Sequence, residues 1–240
     1  MTERHIVAMG GGGFLMGDPM LDRYVLELVG AVRPKVCYLP TASGRVPVSV
    51  VRFFDAFPAR SFEPTYLDLF ERTVADVEAF LGEQDLVYVG GGNTANMLAI
   101  WRLHGVDIAL RRAWESGVVC CGISAGANCW FEASTTDSFL LGRADPLRDG
   151  LGFASGSFCP HYDGEAARRP AFHSSIATGE LPDGVACDDF AAVHLAGDDV
   201  TAAVSSRPGA AAYRVVRDGT QARETRLPVV DLSERGRGQR

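Results

Sequence analysis

Four short apolar runs in the first half of the chain, His5–Met9, Lys35–Leu39, Asp85–Val89 and Val118–Gly122, read as strands buried on both faces, because each is almost continuously apolar and flanked by Gly or Pro. Between them, Asp18–Val29, Val48–Phe57, Thr73–Leu81, Thr94–Leu103 and Asp107–Glu115 repeat their apolar residues at helical spacing. Alternation of these two patterns predicts an α/β fold, a mostly parallel sheet with helices on both faces. In such a sheet, ligands gather at the carboxyl ends of the strands. From about residue 184 the pattern changes to closely spaced strand-like pieces, Val185–Cys187, Ala191–Leu195, Val200–Ser205 and Ala211–Val216, separated by Asp, Gly and Pro. These predict antiparallel strands closing the same domain. No linker or repeat divides residues 1–220, which form one predicted domain. Residues 221–240, where Arg223, Arg226, Arg235, Arg237 and Arg240 stand among Gly and polar neighbours, are predicted to be a partly flexible C-terminal extension.

Composition narrows the function classes. At 240 residues and 47% apolar content the chain can bury a substantial core without staples. A net charge of -7 and the lack of a basic patch argue against a nucleic-acid partner. No run of about 18 apolar residues occurs, so no membrane span is expected, and the first residues lack the basic and long apolar stretches of a secretory signal. The expected compartment is the cytoplasm. The six cysteines, at 37, 120, 121, 129, 159 and 187, form no Cys-x-x-Cys pair and fall mostly in apolar runs, which suits buried reduced thiols.

The sharpest motif is Gly122-Ile123-Ser124-Ala125-Gly126, where an apolar strand stops and a helix begins. On such an elbow the serine is pushed out with its hydroxyl exposed, and the flanking glycines avoid collisions across the turn. That is a nucleophile's setting. Two glycine clusters accompany it. Gly10-Gly11-Gly12-Gly13 fits neither a dinucleotide fingerprint nor a P-loop, and reads as a tight turn that lets backbone approach the floor of a site. Gly90-Gly91-Gly92-Asn93-Thr94 ends a strand and opens a helix on the same edge as Ser124, so Gly91 and Asn93 are candidate substrate contacts. The amides of Gly92 and Ala125 are the candidate oxyanion donors.

A serine hydroxyl needs a base. Of the five histidines, His161 in Ser157-Phe158-Cys159-Pro160-His161-Tyr162-Asp163 stands at the end of an apolar stretch and the start of a loop, which makes it the candidate. Two places could supply the carboxylate that orients it: Asp137, 13 residues after Ser124 in Ser134-Thr135-Thr136-Asp137-Ser138, or the Asp188-Asp189 pair after the next short strand. Spacing does not choose between them.

With Gly90-Gly91-Gly92-Asn93-Thr94, Gly122 to Asn128, Thr135-Thr136-Asp137 and Pro160-His161-Tyr162 in this order, the chain resembles the peptidase E family of serine peptidases, relatives of cyanophycinase built on the class I glutamine-amidotransferase-like fold. The resemblance runs from about His5 to Val216. It implies a peptidase acting on dipeptides or short peptides, including those with N-terminal aspartate, with Ser124 as nucleophile and His161 as base. Asp137 matches a family aspartate assigned to the triad, whereas cyanophycinase-like relatives place an acid near Asp188-Asp189. Serine stands where the amidotransferase relatives use cysteine, so ammonia transfer from glutamine is not expected. An acidic substrate side chain calls for a guanidinium, and Arg168 and Arg169, just after His161, are the candidates. Neither metal nor organic cofactor is called for, and a small peptide is the expected partner, with homo-oligomers allowed. The rival readings are an α/β-hydrolase-type esterase and a non-catalytic ligand-binding member of the same fold.

Overall fold

Alternation of strand and helix holds through the first half of the chain: β1 (His5–Met9), α1 (Met20–Val29), β2 (Lys35–Leu39), α2 (Pro47–Ala56), β3 (Glu63–Tyr66), α3 (Val77–Gly82), β4 (Leu86–Val89), α4 (Thr94–His104), α5 (Val106–Ser116), β5 (Val119–Ile123) and the single turn α6 (Ala125–Asn128). The second half contains β6 (Phe131–Thr136), β7 (Asp145–Leu147), β8 (Ala154–Cys159), α7 (Arg168–Thr178), β9 (Gly184–Cys187), β10 (Ala191–Ala196), β11 (Asp199–Ser205), β12 (Ala212–Asp218), β13 (Gln221–Arg226), β14 (Val229–Asp231) and α8 (Leu232–Arg235). These elements come from a computed structural model that describes residues 3–44 and 47–235.

An eight-stranded sheet runs in the order β14-β11-β10-β1-β5-β4-β2-β3, and its β1, β5, β4, β2 and β3 are mutually parallel. Successive residues of β1 feed opposite faces. Ile6 and Ala8 join Trp101, Leu110 and Trp114 from α4 and α5, while Val7 and Met9 join Leu21, Val25 and Phe53 from α1 and α2. Each large side chain so buried contributes about 1.5–3 kcal/mol, and helices therefore cover both faces. All six cysteines are buried and free. Among the described residues no helix is long and apolar enough to cross a membrane.

The tail departs from expectation in two ways. The strands after residue 184 do not form one antiparallel run: β10 and β11 extend the first sheet, whereas β9 and β12 belong to a second, six-stranded sheet ordered β13-β12-β9-β8-β6-β7. The stretch read as a flexible extension is also built in, since β13 pairs antiparallel with β12, β14 pairs parallel with β11, and α8 packs its Leu232 on the core. β13 escaped notice because it is polar on both faces; its inward residues are Ala222 and Glu224, the second of them charged. Arg237 and Arg240 lie outside the described residues. β3 was hidden by its Pro64 and small apolar content, which an edge strand tolerates.

The two sheets meet at Asp188-Asp189-Phe190, the only residues between β9 and β10. The glycine run after β1 lies against this seam: the Gly10 amide donates to the Ala191 carbonyl (2.9 Å) and the Phe190 amide to the Gly11 carbonyl (3.0 Å). A side chain on Gly11 would overlap the Asp189 carboxylate. The tetraglycine is thus a close-approach turn, as its lack of a phosphate signature suggested.

Behind that turn Asp22 of α1 is 5% exposed. Neither of its carboxylate oxygens reaches full hydrogen-bonding geometry with a partner. Burial raises its pKa to about 7 from an ordinary 3.8, although the Tyr88 hydroxyl and the Phe14 amide partly oppose that rise. The folded chain therefore holds a proton that the unfolded chain releases above 3.8, so this residue's contribution falls as pH climbs from about 4 to about 7. Asp22→Asn is expected to gain on the wild type across that window, by on the order of 2–4 kcal/mol at its top. Denaturant melts at a series of pH values check this, and parallel pH dependences of the two proteins would refute it.

Candidate active site

β5 delivers Ser124 in a backbone conformation that a non-glycine residue rarely adopts, φ 56 and ψ -113. The elbow closes tightly enough that a side chain on Gly122 would overlap the Gly126 carbonyl. Only two further non-glycine residues have positive φ among those described, His161 (φ 49) and Phe190 (φ 66), the residue after Asp189. Strain of this kind costs about 1–3 kcal/mol per residue and persists where surroundings over-determine it. All of it falls on residues of, or next to, the candidate triad.

Consecutive carbonyls of one strand end gather these residues. The Ser124 amide donates to Met9 (3.1 Å) and the His161 amide to Gly10 (3.3 Å). His161 Nδ1 lies 2.6 Å from Asp189 Oδ1, and Asp163 Oδ1 accepts from the Asp189 amide (2.8 Å). With an ionised Asp189 holding the proton on Nδ1, Nε2 is left as the basic nitrogen. Both partners are partly exposed, at 18% and 22%.

The carboxylate against the imidazole is therefore Asp189, one of the two alternatives, and Asp137 faces elsewhere. Asp137 Oδ1 lies 3.4 Å from the Arg168 guanidinium, across from the helix that follows His161. Asp188 turns inward, accepting from the Ala211 amide (3.0 Å) and the Tyr213 hydroxyl (3.3 Å), and burial raises its pKa to about 6. Cys120 and Cys121, beside the elbow, are fully buried, and desolvation pushes both thiols up. They stay protonated and offer no rival nucleophile.

Within the second glycine loop Gly91 lies against the serine: a Cβ there would stand 3.4 Å from Ser124 Cβ and 3.9 Å from its Oγ. Among the described residues the Gly91 and Gly92 amides have no partner, while those of Gly90 and Asn93 donate to Leu39 and Ala42. Asn93 is occupied at both ends of its side chain, capping α4 through the Asn96 amide (2.8 Å) and donating to the Ser138 carbonyl (2.9 Å). Its place is structural, tying the glycine loop to the turn after β6. The two arginines are likewise engaged. Arg168, 3% exposed, donates to Glu165 (2.6 Å) and to the Thr135 carbonyl (2.8 Å) besides facing Asp137. Arg169 closes on Glu224 and stacks over Tyr162 and Tyr213, with its guanidinium carbon 4.9 and 5.0 Å from the ring centres.

Glu224 is the residue that sequence reasoning missed. It accepts from the Tyr162 hydroxyl (2.7 Å), from Arg169 Nε (3.0 Å) and faces His173 Nε2 (3.0 Å). Tyr162 follows His161 in the chain, and Tyr213 holds Asp188, which precedes Asp189. One carboxylate on β13 thus anchors Tyr162, beside His161, directly, and holds Arg169, which stacks on the Tyr213 that bonds Asp188. Burial raises its pKa, but the bonds from Arg169, Tyr162 and His173 outweigh that and leave it below its ordinary 4.5. Its stabilising charge is present above that ordinary value and fades as pH drops through the depressed one. Glu224→Gln is expected to cost about 1–3 kcal/mol at neutral pH, with the gap to wild type narrowing below pH 4.5. Chemical denaturation of both proteins measures this; a gap that widens on acidification would be the wrong sign.

Known proteins share this architecture. Residues 6–203 match the profile of peptidase family S51. A protein of Bacillus subtilis (strain 168) described as the uncharacterized peptidase YgaJ is 48% identical over 230 residues, which cover 94% of this chain and 98% of that one. Two solved structures share the fold. A peptidase from an acI-B1 Actinobacterium superposes with a TM-score of 0.66 at 16% identity, covering 95% of each chain. A Listeria monocytogenes EGD-e protein assigned to peptidase E in its description gives 0.60 at 17% identity, covering 95% of this chain and all (100%) of that one. From the family match and the relative, this chain is a peptidase and belongs to peptidase family S51.

Proposed function

We propose that the chain is a serine peptidase that cleaves short peptides through an acyl-serine. The observation that carries this reading is the 2.6 Å contact of His161 Nδ1 with Asp189, made by a histidine whose backbone is held on the same strand end as the elbow serine. Ser124 Oγ attacks the carbonyl carbon as its proton passes to His161 Nε2, and Asp189 steadies the imidazolium that forms. The Gly92 and Ala125 amides hold the oxyanion. Collapse returns the proton to the departing amine, and a water activated by the same imidazole releases the acid and regenerates the serine.

The resemblance also implies a preference for N-terminal aspartate. Both arginines expected to meet that carboxylate are already engaged, Arg168 buried against Glu165 and the Thr135 carbonyl and Arg169 paired with Glu224. The reading supported here is hydrolysis of short peptides with no aspartate requirement set by these two side chains. Comparing kcat/KM for dipeptides that begin with Asp, Asn or Ala, in the wild type and in Arg168→Met and Arg169→Met, tests it, and an advantage for Asp that either substitution selectively abolishes would overturn it.

Ser124→Ala should lower turnover on the order of 10⁴-fold or more while leaving the fold intact. Asp189→Asn should cost on the order of 10³–10⁴-fold, as loss of the orienting carboxylate does in triads of this kind, and Asp137→Asn far less. Steady-state kinetics on a peptide anilide, beside a p-nitrophenyl ester to separate peptidase from esterase action, give all three values. The reverse order for the two aspartates would move the third member to Asp137.

A further inference from the structure

The loop that follows the base turns back on the base's own partner. Within four residues, His161, Asp163 and Gly164 each meet Asp189 at a different point. His161 Nδ1 lies 2.6 Å from Oδ1, the Asp163 carboxylate accepts from the backbone amide (2.8 Å), and Gly164 lies against Oδ2, which a side chain there would overlap. Gly11 closes the other side, where a side chain would overlap Oδ1. The Asp189 carboxylate is thus walled by two glycines. Backbone bonds fix the loop without help from Asp163, since the Tyr162 amide donates to the Cys187 carbonyl (3.1 Å) and the Glu165 amide to the His161 carbonyl (3.0 Å).

In the turn that carries Asp189, main chain serves every amide but one. The Asp188 amide donates to the Ala211 carbonyl (2.9 Å), the Phe190 amide to the Gly11 carbonyl (3.0 Å) and the Ala191 amide to the Asp188 carbonyl (3.2 Å). The Asp189 amide donates instead to a side chain, that of Asp163. A bond of this kind to a carboxylate is stronger than one to a neutral oxygen. The next residue, Phe190, has φ 66, so the backbone is strained beside the point where the bond is made. A strained turn relaxes when a hold on it is removed, and rotation of the Asp189 backbone would swing its carboxylate off Nδ1. Asp163 itself is exposed, so core packing does not call for an acid at this position.

We infer that Asp163 is a positioning residue for the His161–Asp189 pair: by holding the Asp189 amide, it aims the Asp189 carboxylate at the imidazole carried two residues before it. Base and brace lie on one short loop, so a shift of that loop moves both together and preserves the contact between Nδ1 and Oδ1. The inference rests on Ser124, His161 and Asp189 acting as proposed above. It assigns Asp163 neither a proton to transfer nor a contact with substrate.

Asp163→Ala, Asp163→Asn and Asp163→Glu, each alone and on the Asp189→Asn background, test it. The readouts are kcat and KM on a peptide p-nitroanilide and the rate at which a fluorophosphonate labels Ser124. Asp163→Ala should lower kcat and the labelling rate about 10–100-fold with KM nearly unchanged, the scale on which a small misplacement of a reacting group costs rate. Asp163→Asn, which keeps an oxygen in the same place, should recover most of that loss. Asp163→Glu, which keeps the charge but carries it one methylene further out, should not. On the Asp189→Asn background Asp163→Ala should cost nothing more, because the orienting carboxylate is already gone. An equal loss on both backgrounds, Asp163→Asn as slow as Asp163→Ala, or Asp163→Ala labelled as fast as wild type each overturns the inference alone. Wild-type enzyme that the probe leaves unlabelled overturns the serine mechanism and this inference with it. Melting curves verify that the variants fold, and if Asp163→Ala does not, the contrast between Asp163→Asn and Asp163→Glu decides.

Discussion

Two neighbouring carbonyls at the end of β1 organise the candidate site. Met9 takes the amide of Ser124 on one side of the strand, and Gly10 takes the amide of His161 on the other. Because both bonds come from one rigid strand in the middle of the larger sheet, nucleophile and base are registered to each other although they stand 37 positions apart, with half the strands of the second sheet between them in sequence. Asp189 enters by the same route. The tetraglycine that continues β1 is bonded to Ala191 and Phe190, and its bare Gly11 leaves the space that the Asp189 carboxylate occupies. Replace that glycine and the seam between the sheets could not close as it does.

Strain is concentrated where this registration is needed. Ser124, His161 and Phe190 carry positive φ, and each is held by a backbone bond to Met9, Gly10 or Gly11. At about 1–3 kcal/mol apiece the three together would offset a large part of a typical domain's stability. They persist because the surrounding core is fully buried on both faces of β1 and β5 and has no slack in which to relax.

How much of this was legible in the sequence depended on where the information lay. The parallel strands and their helices were visible because strands buried on both faces are continuously apolar, and β1, β2, β4 and β5 fall within a residue of their predicted positions. The elbow was visible because its chemistry is local. His161 stood out as a histidine at a strand end. What spacing could not resolve was long-range pairing. Asp137 and Asp189 both closely follow strands, and only the meeting of the two sheets turns one toward Arg168 and the other toward the imidazole. β13 was unreadable for a related reason: its inward charge, Glu224, is tolerated only because Tyr162, Arg169 and His173 converge on it from elements distant in sequence.

Four acidic residues near the imidazole illustrate how environment assigns roles that composition leaves open. Asp188 and Asp189 are adjacent, yet an extended turn sends their side chains to opposite sides, and the inward one is consumed by the Ala211 amide and the Tyr213 hydroxyl. Glu224 is neutralised by a guanidinium and anchors residues beside the pair without touching it. Asp137 shares Arg168 with Glu165 and the Thr135 carbonyl, which locks the start of α7, and with it the loop carrying His161, onto the end of β6. A substitution at Asp137 can therefore weaken catalysis through the placement of that loop without Asp137 meeting the imidazole. Such an indirect loss is smaller than that of removing the carboxylate that orients Nδ1, so the order of the two aspartates, and not loss of activity alone, marks the third member.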